Sequence, residues 1–197
     1  MSAPSQRLIV GITGASAPHY GVRLLEVLRE LTEVEIHLVL SRGAHATIHH
    51  ELGRDPAEVA ALGHVVYDDG DMAAAISSGS FLTAGMIVAP CSVKTLSAIA
   101  NSYNDNLIAR AADVCLKERR RLVLVVRETP LHLGHLRLME QVTAAGAVVL
   151  PPVPGFYHRP QTIQDLIDHT VTKILDQFGI HLDLIERWKG LEPTTDH

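Results

Sequence analysis

Aromatic side chains are scarce in this 197-residue sequence: one tryptophan, four tyrosines and three phenylalanines, 4% in all. Cysteine is scarcer still. Cys91 and Cys115 share no metal-type or redox spacing and give no disulfide framework. No run approaches the roughly 20 apolar residues of a membrane span. The opening "MSAPSQRLIVGITG" passes from a short apolar run into Gly and Thr, unlike a secretory signal. These absences point to a reducing, cytoplasmic setting. Positive charge is not in excess either: 17 Lys and Arg against 22 Asp and Glu leave a net charge of −5. Nucleic acid or an anionic membrane is therefore not an expected partner, and any bound anion must be gripped by a few placed cations. Histidine is plentiful, at 12 residues, yet no HExxH occurs. The pair His132 and His135, and the "HHE" at 49–51, lack a third ligand at fixed spacing, so no metal is expected and surface histidines are the simpler reading.

What is present is an alternation of short apolar runs with amphipathic stretches. "RLIVGIT" (7–13) precedes "YGVRLLEVLREL" (20–31), and "VEIHLVLS" (34–41) precedes a helix through "HATIHHEL" (45–52). "AGMIVAP" (84–90) precedes helices over 92–101 and 106–119, and "RLVLVVRE" (121–128) precedes "GHLRLMEQVTAAG" (134–146). "AVVLPP" (147–152) leads into a proline-rich loop and a last helix over about 161–178. This order predicts an α/β fold: a doubly wound, Rossmann-like parallel sheet with helices on both faces. The length suits a single domain over 1–190, with 191–197 expected to fray as a disordered tail.

Ligands of such folds bind beyond the carboxyl ends of the strands. In "GITGAS" (11–16), Gly14 would let backbone approach a phosphate with helix N–H groups behind it, though a tight turn alone also calls for glycine. A dinucleotide site wants an acid at the second strand end, where Ser41-Arg42 stands, so a mononucleotide fits better than NAD. In "APCSVKT" (89–95), Ser92 is a good N-cap, but Lys94 opposes the helix dipole, as though an anion were expected there. Arg127 and Glu128 follow directly on the buried "LVLVV", at a central strand end. Arg110 and Lys117 lie two turns apart on one helix face, whereas "ERRR" (118–121) reads as ordinary cations at a helix C-terminus. Cys91 reads as buried, with little to activate it.

Together these stretches resemble the UbiX-type flavin prenyltransferases, also found as the small component beside hydroxyarylic acid decarboxylases. The most specific are "ISSGSF" (76–81), "APCSVKTLSAIA" (89–100), the run 107–131 and "GAVVLPPVPGFYHRPQT" (146–162). The resemblance implies transfer of a dimethylallyl group from dimethylallyl monophosphate to N5 and C6 of reduced FMN, without metal. The prenylated FMN would serve a UbiD-type decarboxylase. It further implies a homo-oligomer, commonly a dodecamer. Carried over by position, Gly14, Ala15, Ser16, Ser41, Ser92, Val93, Lys94, Thr95 and Arg127 would hold the flavin. Arg110, Lys117, Tyr157, Lys173 and Trp188 would hold the donor, and Glu51, Lys117 and Glu128 would be catalytic. Cations suit a leaving phosphate, and a carboxylate suits removal of an aromatic proton; the Trp188 ring could face an allylic cation or simply pack the tail. Two positions depart from the family pattern: Ala17 replaces a glycine after "GAS", and Lys173 replaces an arginine found in some members, keeping charge but not bidentate geometry. Two alternatives stand beside this reading. One is a flavin-dependent decarboxylase of cysteine-type substrates, whose Pro-x-Ser-Ala-Asn-x stretch is replaced here by "PCSVKTLSAIAN". The other is a non-catalytic flavin carrier for an aromatic acid decarboxylase.

Overall fold

The computed structural model describes residues 6–188 and 190. Six strands, β1 (Gln6–Ile12), β2 (Val34–Leu40), β3 (Val65–Asp68), β4 (Gly85–Cys91), β5 (Arg121–Val126) and β6 (Val148–Val149), form one parallel sheet in the order β3-β2-β1-β4-β5-β6. The chain winds outward from β1 through α1 (His19–Arg29), α2 (Arg42–Leu52) and α3 (Pro56–Ala60) to β3. It then returns to β4 and winds the other way through α4 (Val93–Ala100), α5 (Leu107–Lys117) and α6 (Leu133–Ala144). Right-handed crossovers running in opposite directions must put their helices on opposite faces. The core divides accordingly. Leu8, Val10, Ile12, Ile36, Leu38, Ile87 and Val123 pack with α1, α2 and the last helix, α7 (Ile163–Asp176). Ile9, Val39, Met86, Val88, Leu122 and Leu124 pack with α4, α5 and α6.

The predicted doubly wound sheet is thus present, with element ends shifted by a few residues. β3 and α3 were not predicted. β3 has only four residues, "VVYD", alternating between partly buried and exposed, so no apolar run marks it. The predicted boundary at 190 and the expected tail at 191–197 lie at and beyond the end of the described residues.

Winding outward in both directions leaves a crevice between β1 and β4, where the two halves part. Two glycines let the surrounding elements close on it. A Cβ on Gly21 would lie 2.1 Å from the Ala89 carbonyl oxygen, so α1 can lie directly on β4 only with glycine there. A Cβ on Gly14 would lie 2.8 Å from Gly43 Cα, so the turns after β1 and β2 touch backbone to backbone. Glycine at 14 is therefore required by packing as well as available to a ligand.

Candidate active site

The crevice is built around Thr13. Pro90 offers no N–H, and the β4–β5 register is broken between Val88 and Cys91. Thr13, 1% exposed, supplies the missing bonds between β1 and β4. Its hydroxyl donates to the Pro90 carbonyl at 2.7 Å and accepts from the Ser92 N–H at 2.9 Å, while its own N–H donates to Pro90 at 3.3 Å. Ser92, so fixed, caps α4: its Oγ accepts from the Thr95 N–H at 3.3 Å and lies 3.1 Å from Thr95 Oγ1. Sequence reasoning missed Thr13. Its position in "GITGAS" was visible, but the partner 77 residues away was not.

Across the crevice, Ser41 begins α2, donating its N–H to the Ile12 carbonyl at 3.0 Å and accepting from the Ala44 N–H. Ser16 and Ala17 are tied to Glu51 at the far end of α2. One carboxylate oxygen accepts from Ser16 Oγ at 3.1 Å and from the Ala17 N–H at 2.8 Å. Ala17 sits at φ 67, in the left-handed region that favours glycine, and so carries strain of about 1 kcal/mol. At the next strand end, the Arg127 N–H donates to the Cys91 carbonyl at 3.1 Å. Its half-buried guanidinium is close enough to Tyr20 to oppose the upward push that burial gives that phenol. Glu128 is exposed and accepts from the Thr129 N–H.

Lys94 lies elsewhere. Its side chain is 79% exposed, and its ammonium stands 4.0 Å from Asp105 in the α4–α5 loop. The mismatch with the helix dipole is thus met by a carboxylate of the chain itself.

Two further hollows hold the remaining residues except Lys173. Arg110 and Lys117 face the loop Ser77–Ser80 across a hollow of ≈ 390 Å³. Arg110 donates to the Ser77 carbonyl at 3.1 Å and to Asp113 at 3.0 Å, and Lys117 pairs with Glu118. Arg120 is more than a cation at a helix end, as "ERRR" was read: it donates to the carbonyls of Phe81 and Gly79 and holds this loop in place. Tyr157 and Trp188 line a separate cleft of ≈ 320 Å³, their rings edge to face at 6.1 Å. Lys173 is exposed on α7, one turn beyond His169. A single chain therefore brings Gly14, Ala15, Ser16, Ser41, Ser92, Val93, Thr95, Arg127 and Glu51 to the switch point. It does not bring Arg110 and Lys117 together with Tyr157 and Trp188.

Burial pushes both thiols up to about 12, so Cys91 and Cys115 are inert packing groups. The histidines are not all on the surface. His37 is 2% exposed inside the sheet, and His169 is 9% exposed under Tyr157. His132 accepts from the Gly134 N–H and caps α6, with the His135 ring 3.6 Å away. Among the described residues no group of three or more His, Cys, Asp or Glu could hold a metal ion.

A doubly wound sheet with a stapled switch point, a capped helix start and no acid at the second strand end defines a mononucleotide-binding α/β protein. The flavoprotein family model matches residues 2–175. Flavin prenyltransferase UbiX of Escherichia coli (strain K12) is 60% identical over 187 residues, 94% of this chain and 99% of that one. The crystal structure of AnUbiX (PadA1) in complex with FMN and dimethylallyl pyrophosphate superposes with a TM-score of 0.93 at 53% identity, covering 95% of this chain and 99% of that chain. A dodecameric FMN-dependent UbiX-like decarboxylase from Escherichia coli O157:H7 superposes with a TM-score of 0.92 at 49% identity, covering 93% and 100%. The chain belongs to the flavoprotein family and, within it, to the UbiX-type flavin prenyltransferases.

Proposed function

We propose that the protein transfers a dimethylallyl group from dimethylallyl monophosphate to N5 and C6 of reduced FMN. The observation that carries this reading is the gathering of Gly14–Ser16, Ser92, Val93, Thr95 and Arg127 at the switch point of a chain in this family. The site suits a flavin mononucleotide. The turns at Gly14 and Gly43 touch backbone to backbone, and Ser16, Ser41, Ser92 and Thr95 carry hydroxyls at the same strand ends. Arg127 supplies a half-buried cation, and the absence of an acid at Ser41 removes the usual ribose partner of NAD. The reduced flavin supplies the nucleophile.

The chain's own residues would bind and orient the reactants and manage charge. Arg110, Lys117 and Lys173 stabilise the phosphate as the allylic C–O bond breaks, and Tyr157 and Trp188 border the prenyl chain. Glu51, hydrogen-bonded to the Ser16 turn, and Glu128 are carboxylates placed for proton transfer at the flavin edge. Arg110 and Lys117 lie in one hollow and Tyr157 in another, so a complete donor site needs more than one copy of the chain. This supports a homo-oligomer, with the dodecamer of the related UbiX-like protein as the expected form. The product would pass to a UbiD-type decarboxylase in the cytoplasm. No described helix is long and apolar enough to cross a membrane.

The test is anaerobic: protein, reduced FMN and dimethylallyl monophosphate, followed by a mass spectrum of the extracted flavin. A gain of one dimethylallyl unit without added metal is expected. Lys117→Ala should keep FMN and lose product. Unmodified flavin from FMN-loaded wild-type protein would sink the reading and leave the cysteine-type decarboxylase or the carrier.

A further inference from the structure

A histidine pair beneath the Tyr157 cleft has no part in that scheme. His158 follows Tyr157 in the loop after β6, and His169 lies on α7 one turn before Lys173. Their rings are 5.2 Å apart and within 4° of parallel. The Tyr157 ring meets them edge to face, at 5.3 and 5.6 Å. Both ring nitrogens of His158 and Nδ1 of His169 are buried without a hydrogen-bond partner among the described residues. Buried polar atoms are nearly always paired, so three orphans in one stack call for an explanation. The loop closes tightly here as well: a Cβ on Gly155 would stand 3.0 Å from His169 Nε2.

The charges around the pair are unbalanced. Lys173 acts on His169 from α7, and burial, His158 and Lys173 together hold that imidazole below its ordinary range. Asp165, also on α7, is near His158 but is committed to the N–H groups of Gln161 and Thr162. Asp168 is bound to Arg23 of α1 at 2.7 Å, and Tyr20 of α1 bonds Thr170. On the C-terminal segment, Arg187 is bound to Asp176. Glu186 lines the same cleft beside Arg159, and no carboxylate hydrogen-bonds either ring nitrogen of His158 or Nδ1 of His169. An arriving phosphate dianion would supply the missing negative charge and favour an imidazolium, and two stacked imidazoles share one added proton more readily than they take two.

We propose that His158 and His169 form a protonatable pair that takes up one proton when a phosphate monoester binds at Tyr157 and Lys173. This makes His169 a positioning residue for the donor's phosphate. The inference rests on the donor site proposed above.

Calorimetric titration of dimethylallyl monophosphate into protein loaded with oxidised FMN, which binds without turnover, tests it. Runs near pH 7.5 in two buffers of different ionisation enthalpy give the protons exchanged. A phosphate monoester is already largely ionised there and can only release protons on meeting cations. Uptake of about half a proton or more therefore belongs to the protein. Uptake that vanishes in His169→Phe, which keeps the ring stack, is the expected result. The dissociation constant should also weaken with rising pH in the wild type, by up to about tenfold per unit, and lose that slope in the variant. Binding without uptake, or uptake unchanged in both His169→Phe and His158→Phe, overturns the pair's role alone. No binding while FMN remains bound overturns the donor site, and the pair with it. If the variants fail to fold, the imidazole NMR signals of the wild type decide: donor must move one of the two toward the imidazolium position, and static signals refute the proposal.

Discussion

Removing the Thr13 hydroxyl strands two backbone groups at once, the Ser92 N–H and one lone pair of the Pro90 carbonyl. Both lie beside a fully buried residue, so Thr13→Val should lower stability by about 1–3 kcal/mol. Thr13→Ser, which keeps the oxygen, should lose much less. Because Ser92 is the cap of α4, Thr13→Val should also weaken FMN binding while Thr13→Ser preserves it. Thermal melting and quenching of flavin fluorescence measure the two effects, and equal losses in both variants would contradict the staple. Ser92 was legible in the sequence because an N-cap is decided within four residues, and Gly14 because a strand-to-helix turn is equally local; Ser41 was legible as a strand end, and its cap on α2 only in the fold. Thr13 and Gly43 were not, since each is defined by a strand or turn distant along the chain. Lys94 was legible only as an anomaly. The sequence shows a cation on the wrong end of a dipole, and only the fold shows Asp105 beside it.

At the scale of elements, the crevice depends on how closely α1 lies on β4. Gly21 sets that distance. A methyl group there would meet the Ala89 carbonyl oxygen at 2.1 Å and the Ile12 side chain at 2.9 Å, and backbone cannot step aside as a flexible side chain would. Gly21→Ala is a change that intrinsic propensity favours by about 1 kcal/mol in a helix. The expected outcome is nevertheless a loss of several kcal/mol or insoluble protein, since overpacking against backbone exceeds that gain. Chemical denaturation checks it, and a stabilised Gly21→Ala would show that α1 packs more loosely. The alternation of runs made the doubly wound class and most of the helices readable, but the strand order, β3 and the separation of α1 from β4 belong to no local pattern. The same holds for the two donor hollows. Arg110 and Lys117 share a helix face by spacing alone, whereas their distance from Tyr157 depends on where α5 and the loop after β6 sit against the sheet.

For the molecule as a whole, three imidazoles set the response to acid. His37 lies inside the sheet, its Nδ1 2.9 Å from the Tyr67 hydroxyl, and burial is the main cause of its lowered pKa. His64, also lowered chiefly by burial, accepts the Ile36 N–H at 3.0 Å through a ring nitrogen that protonation would occupy. His169 is lowered by burial, His158 and Lys173. The unfolded chain protonates such groups near pH 6.5, while the native state resists until lower pH. Between those limits the unfolded state holds more protons, so stability rises with pH. The stabilisation is complete above about pH 6.5 and is lost as pH falls through the lowered native values. The expected melting temperature is flat from pH 8 to 7 and falls below about 6.5. That is well above the range where Asp165 and Asp176, held low by their hydrogen bonds and ion pairs, begin to protonate. His37→Gln should shrink the first step. A melting temperature that holds steady down to pH 5 would show that burial does not keep these rings neutral. The donor separates one ring from the other two. If a bound phosphate reverses the balance at His169, saturating dimethylallyl monophosphate should reduce the acid step only by that ring's share. The parts due to His37 and His64, in and beside the sheet, should remain.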